Sequence, residues 1–174
     1  TCFDLATSMI RCDAKEFNIL GNENSKELNN NKKLLDKIEK IRLLAGKKMG
    51  MGDVKGKVLP KVSLLSKSVN KNSIISRYFT PYSCHETHAV TGTCCVASSC
   101  LIPDTVGFRL LNKKKESLNF NSEIIKIEHP MGLIDCIIVL NSNFKNNLVS
   151  KKDLVKSCGI YRTSRILMKG QVYF

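Results

Sequence analysis

Ser83, Cys84, His85, Glu86 and His88 fall within six consecutive positions, and they are residue types that bind anions and move protons. Ser83-Cys84-His85-Glu86 fits the S-x-x-E pattern, in which a Ser hydroxyl caps the third backbone N–H of a helix while the Glu reaches back. A helix starting there would turn free N–H groups and the positive end of its dipole toward a carboxylate or phosphate. Cys84 and His85 would occupy its first positions, where a thiolate is stabilised and the Cys pKa falls. Cys84 could then exchange a proton, with His85 or His88 as neighbour. The same residues also fit a plainer reading, a well-capped core helix whose Cys and His are packing or satisfied polar groups.

Other candidates are weaker. His129-Pro130-Met131-Gly132 lies between two apolar runs, where a turn needs Pro and Gly for backbone reasons alone. Arg162-Thr163-Ser164-Arg165 could hold a carboxylate by bidentate contact, or form surface ion pairs. Asp53, after Met49-Gly50-Met51-Gly52, could bind or simply cap. His85-x-x-His88 is the only metal-like spacing, and with no C-x-x-C pair zinc is not indicated.

These residues need elements to position them. Residues 1–12 suggest a short strand and a turn, and 21–33 read as a polar loop. Leu34, Leu35, Ile38, Ile41, Leu44 and Ala45 fall on one helical face, with Gly46 as a stop. Strands are expected at about 57–65 and 73–80. The stretch 86–100 contains almost only small residues. Such a helix suits close approach of backbone on every side, as when it plugs a strand barrel, and Pro103 should end it. Further strands are expected at Val106–Leu111, Leu118–Phe120, Ile124–Glu128 and Leu133–Leu140, with Lys113-Lys114-Lys115 as a solvated hairpin tip. Residues 154–168 suit neither period well, and Gln171-Val172-Tyr173-Phe174 reads as a terminal strand.

Composition narrows the class. The 174 residues suit one domain, and 43% hydrophobic with 25% charged residues is ordinary for a soluble globular protein. The longest apolar run, Cys136–Leu140, is too short to cross a bilayer, and no signal peptide opens the chain. The net charge of +13 could attract a polyanion, but 22 of the 28 basic residues are scattered Lys and there is no Trp for stacking; nucleic acid and membrane are not expected partners. Eight Cys without a secretory signal point to reduced, mostly buried thiols and a cytoplasmic protein. Thr1-Cys2-Phe3-Asp4-Leu5 reads like the middle of something longer.

Arg77-Tyr78-Phe79-Thr80-Pro81-Tyr82-Ser83-Cys84-His85-Glu86-Thr87-His88-Ala89-Val90-Thr91-Gly92 closely resembles a segment of the PrpF family, the methylaconitate isomerases. Three further blocks agree in order: Ala45–Val54, His129–Asp135 and Tyr161–Gly170. The resemblance covers the whole chain but only about the C-terminal half of the family. It implies an α+β, diaminopimelate-epimerase-like fold of two similar domains, each a strand barrel round a central helix, with this chain as the second.

The implied activity is movement of a double bond in a small unsaturated di- or tricarboxylate, such as 2-methylaconitate in propionate catabolism by the methylcitrate cycle, or methylitaconate or oxalomesaconate in relatives. No cofactor is implied. The proton-transferring Lys and Cys of the family belong to its N-terminal domain, and no residue here matches them. What the resemblance leaves to this chain is the second wall of the cleft, with Ser83, Cys84, His85, His88, Met131 and Gly132 as substrate-binding candidates. Met131 stands where the family usually has Ser, and Ser164 where it usually has Ala. A homodimer and a functional link to an aconitase-like dehydratase are left open. The competing reading is a catalytically incomplete fragment or a non-enzymatic binding module.

Overall fold

The computed structural model describes residues 1–113, 117–143, 150, 153–162 and 165–171. Its elements are β1 (Cys2–Asp4), β2 (Ser8–Asp13), a 3₁₀ turn (Ala14–Phe17), α1 (Ser25–Asn30), α2 (Lys32–Lys48), β3 (Lys61–Lys67), β4 (Ser73–Phe79), α3 (Val90–Ser99), α4 (Val106–Leu111), β5 (Glu123–His129), β6 (Gly132–Leu140) and β7 (Val155–Ile160). The strands form one seven-stranded sheet in chain order. β2 runs parallel to β3 and β4 parallel to β5, while the other neighbours are antiparallel.

The sheet curls around α3. Alternation places Ile125 and Ile127 of β5, and Ile134, Cys136, Ile138 and Leu140 of β6, on the buried side. There all but Ile134 pack with Cys94, Cys95, Val96, Ala97 and Cys100. α3 touches β2 near one edge of the sheet and β5, β6 and β7 toward the other, so small side chains are required all round it. Gly92 shows the constraint: a Cβ there would stand 2.8 Å from the Tyr78 ring. β1 and β7 remain edges. The barrel expected from the sequence is therefore an open, curled mixed sheet, because no ladder joins its two ends among the described residues.

A second core lies on the outer face, where Leu34, Ile38 and Ala45 of α2 meet Ile10, Val62, Leu64 and Phe79. Each fully buried Ile or Leu in such a core contributes about 1.5–3 kcal/mol. Arg42 is also wholly buried here. It pairs with Glu39 at 2.6 Å and donates to the carbonyls of Leu59 (3.1 Å) and Val54 (2.9 Å), tying α2 to the following loop.

Several local expectations are corrected. The polar stretch 21–33 holds α1, begun by a capping box between Asn24 and Glu27. Val106–Leu111 is helical, not a strand, because the Thr105 hydroxyl accepts from Phe108 N at 3.1 Å and starts a new turn. Leu118–Phe120 forms no strand; Leu118 fills the core from a loop. Lys113 follows α4 and pairs with Glu123 at 2.6 Å, so it is no solvated tip. The central helix begins at Val90 and ends at Ser99, shorter than 86–100 and before Pro103. β7 resolves the first part of 154–168. Lys114, Lys115 and Val172–Phe174 lie outside the described residues. The eight cysteines are free thiols, five of them buried.

Candidate functional site

After β4 the chain does not enter a helix at Ser83. Thr80 N donates to Ser83 O at 2.9 Å, Cys84 bridges back to Phe79, and His85 N donates to Tyr78 O at 2.7 Å. Residues 83–85 are thereby held as an extended hairpin arm against β4, and the Ser83–Glu86 capping box is not made. Asn29 of α1 fixes the arm from outside: its Oδ1 accepts from Cys84 N at 2.6 Å and its Nδ2 donates to Cys84 O at 3.2 Å. Nothing in the sequence reading singled out Asn29, whose signal was one Asn among fifteen.

The anion-binding end moves with the helix. α3 starts after Ala89, and no side chain caps it. Thr93 N finds Ala89 O at 2.8 Å, while the earlier N–H groups of Val90–Gly92 meet no side-chain cap. They form the positive end of the dipole.

The six candidates separate by environment. Ser83 and His85 are exposed, and His85 Nδ1 lies 3.3 Å from Thr87 N and 3.4 Å from Thr87 Oγ1. Cys84 is buried and its thiol is pushed up to about 11 by desolvation, against the opposing pull of Arg77 and of the Tyr78 backbone. That overturns the expected helix-stabilised thiolate, because Cys84 is not at a helix end. His88 is buried beneath the loop, with Nε2 2.8 Å from Ser76 Oγ and its ring 4.5 Å from that of Tyr78. Burial lowers its pKa to about 3, aided by the nearby His129 and His85. It is therefore neutral at physiological pH and offers no cationic charge to a substrate carboxylate. The metal-like pair His85-x-x-His88 thus splits, one ring outward and one inward, and no metal-holding group of three or more ligands exists among the described residues.

Met131 and Gly132 are brought to the same loop. β4 and β5 are parallel neighbours, so the turn after β5 reaches the loop after β4. Glu86 O accepts from Met131 N at 3.2 Å and lies 3.3 Å from His129 Nδ1. Met131 N also donates to His129 Nδ1 at 3.2 Å, and Met131 itself is 67% exposed. Gly132 takes φ +136, a conformation that suits glycine. Behind the turn, Arg77, Glu128, His129 and Leu133 help to line a cleft of about 320 Å³. Arg77 is buried, donates from Nε to Glu23 O at 2.5 Å, and has its pKa lowered by burial.

On the other side of the turn, Arg162 joins Leu133, Asp135 and Tyr161 around a cleft of about 550 Å³. It makes no ion pair among the described residues. Arg165 is exposed, and Thr163 and Ser164 lie outside the described residues. Asp53 caps a turn, its Oδ1 accepting from Lys55 N at 2.9 Å. No helix among the described residues is long and apolar enough to cross a membrane.

The chain is 36% identical over 173 residues to YbhH of Escherichia coli (strain K12), covering 99% of itself and 45% of that protein. It is 30% identical over 172 residues to the 4-oxalomesaconate tautomerase of Pseudomonas putida, covering 99% and 44%. It is 31% identical over 173 residues to the (4E)-oxalomesaconate Delta-isomerase of Novosphingobium sp. (strain KA1), covering 99% and 45%. It spans less than half the length of these relatives. The crystal structure of a methylitaconate-delta-isomerase shares the fold, with a TM-score of 0.71 at 24% identity over 93% of this chain and 44% of that one. The family model described as PrpF protein matches residues 1–174, and the chain belongs to that family.

Proposed function

We propose that this chain forms one wall of the active site of a cofactor-independent isomerase that moves a double bond in a small unsaturated di- or tricarboxylate such as 2-methylaconitate. A base removes a proton from carbon next to a carboxylate, the electrons spread into an enolate, and a proton returns at another carbon. Such an intermediate needs fixed dipoles facing its negative charge.

The observation that carries this reading is the uncapped start of α3 set beside two loops locked together at Glu86 O. The free N–H groups of Val90–Gly92 would receive a substrate carboxylate, and Ser83 and His85 would add polar contacts from the exposed arm. His88 would hold the arm from beneath as a neutral group. Met131 and Gly132 would shape the opposite lip. The proton-transferring Lys and Cys that the family resemblance implies belong to the partner domain, and this chain would be the second of the two domains.

The test uses the complete enzyme. Ser83→Ala combined with His85→Ala removes polar contacts to a charged group, each worth about 1.5–3 kcal/mol, so KM should rise roughly 100-fold or more. Unchanged kinetics would overturn the anion-site reading. The share of its relatives that the chain covers supports a second expectation: the 174-residue chain alone, incubated with 2-methylaconitate or oxalomesaconate in D2O, shows no proton exchange by NMR.

A further inference from the structure

Arg77 and Glu128 line the same cleft on the outer face of the sheet without pairing with each other. Alternation along β4 turns Ile74, Ser76 and Tyr78 inward and leaves Ile75 and Arg77 on the outer face. On β5 the inward residues are Ile125 and Ile127, so Glu128 shares that outer face. The parallel β4–β5 ladder sets Ile75 opposite Glu128. Together these residues help to form the cleft of about 320 Å³, with Pro130 and Leu133 as further apolar walls. None of its apolar residues belongs to the core that α2 covers, and the start of α3 lies on the other side of the sheet.

Each charge has binding capacity left over. Arg77 is only 5% exposed. Its Nε donates to Glu23 O at 2.5 Å and its Nη1 to Ser76 O at 3.3 Å, both uncharged acceptors. Nη2 makes no hydrogen bond among the described residues and is not sealed from solvent. A guanidinium stays charged at any physiological pH, and a charge held away from water is costly without a partner. On Glu128, Oε1 takes both donors, the Ser68 hydroxyl and Asn70 Nδ2, the latter at 2.9 Å. Oε2 accepts nothing from the described residues. A cation and a carboxylate thus stand apart across an open cleft, each with one atom unused.

We propose that this cleft binds a small zwitterion, an α-amino acid with an apolar side chain. Its carboxylate pairs with Arg77 Nη2, its ammonium with Glu128 Oε2, and its side chain rests on Ile75, Pro130 and Leu133. Charge selects the class. A simple anion would satisfy Arg77 but face Glu128, and a simple cation would do the reverse, whereas a zwitterion answers both. His129 adds no charge at neutral pH, because burial lowers its pKa. Size points the same way, since about 320 Å³ is at the lower end of clefts that hold small molecules. Pro130 belongs to the turn that carries Met131, so a bound amino acid also braces that turn from behind.

The full-length protein is titrated with L-leucine in a ligand-observed NMR experiment. Two partial probes run beside it: 4-methylpentanoate, which lacks the ammonium, and isopentylamine, which lacks the carboxylate. L-leucine should saturate, and each partial probe should bind roughly tenfold or more weakly, as should L-leucine to Arg77→Met or Glu128→Gln. Leu133, 56% exposed, gives a further check: Leu133→Ser should weaken L-leucine but leave glycine, which has no side chain to rest there, unchanged. If 4-methylpentanoate binds as tightly as L-leucine, the cleft is a plain anion site and the proposal fails. It fails too if L-leucine does not saturate, or if it binds both charge variants as it binds the wild type. Should Arg77→Met not fold, Glu128→Gln, which keeps an oxygen for Ser68 and Asn70, decides the question.

Discussion

Ser76 Oγ lies 2.8 Å from His88 Nε2 and 2.6 Å from Ser63 Oγ, so a chain of polar groups crosses the buried side of β3 and β4 and ends beneath the candidate site. Desolvation holds His88 neutral down to about pH 3 in the folded protein, against 6.5 when exposed. Below pH 6.5 the unfolded chain therefore binds a proton that the folded chain refuses. Stability from this residue is complete above 6.5 and lost as pH falls toward 3, at about 1.4 kcal/mol per pH unit. Urea unfolding between pH 7 and 4 should show a steeper loss in the wild type than in His88→Gln, whose amide can still reach Ser76. Parallel slopes would show that His88 titrates normally.

Asn29 holds both the N–H and the C=O of Cys84, so it positions the arm. Asn29→Ala orphans both groups and should cost about 1–3 kcal/mol. Hydrogen exchange should quicken at Cys84 while amides of β5 and β6 are unchanged. Uniform quickening across the sheet would make Asn29 a general stabiliser instead.

Much of the frame was legible in the sequence because it is written in local periodicity. The apolar face of α2 and the alternation of β5 and β6 require no knowledge of distant residues, and both elements appear, although α2 runs through the expected stop at Gly46 to Lys48 and its Leu44 is exposed. Capping was read at the wrong place. Ser83-x-x-Glu86 has the right letters, but the Phe79–Cys84 bridge claims its backbone first. Asn24-x-x-Glu27 makes a working box inside a stretch that polarity alone marks as loop. Val106–Leu111 is apolar enough for either period, and the hydroxyl of Thr105 decides for helix. The meeting of Glu86 with Met131 depends on parallel pairing of β4 and β5, a long-range fact that no window of sequence contains. Likewise the sharing of one cleft by Arg77 and Glu128 exists only once the β4–β5 register is known.

Gly92 and Tyr78 make a second local test. A Cβ at Gly92 would lie 2.8 Å from Tyr78 Cε2 and 3.0 Å from Cζ, while the helix backbone itself would welcome Ala. Overpacking should win, so Gly92→Ala should lower stability by about 1–3 kcal/mol. Tyr78→Leu alone leaves space over Gly92. The double variant Gly92→Ala with Tyr78→Leu should therefore be more stable than the sum of the two single changes, read as a coupling in chemical denaturation. Strict additivity would place the strain elsewhere.

Arg42 separates a charge effect from a bridging effect on the outer face. Its guanidinium is fully buried, yet it meets Glu39 and two carbonyls, and the hydrogen bond to Glu39 raises its pKa before burial lowers it. Arg42→Met keeps most of the apolar stem but leaves Val54 O, Leu59 O and Glu39 without their donor. Removing one member of such a buried pair costs about 3–5 kcal/mol. Adding Glu39→Gln to Arg42→Met removes the stranded carboxylate charge but not the stranded carbonyls. The double variant should recover part of the loss in urea midpoint. Full recovery would mean that only the ion pair mattered, and no recovery would mean that the tie between α2 and the loop carrying Val54 and Leu59 is held by the carbonyl contacts alone.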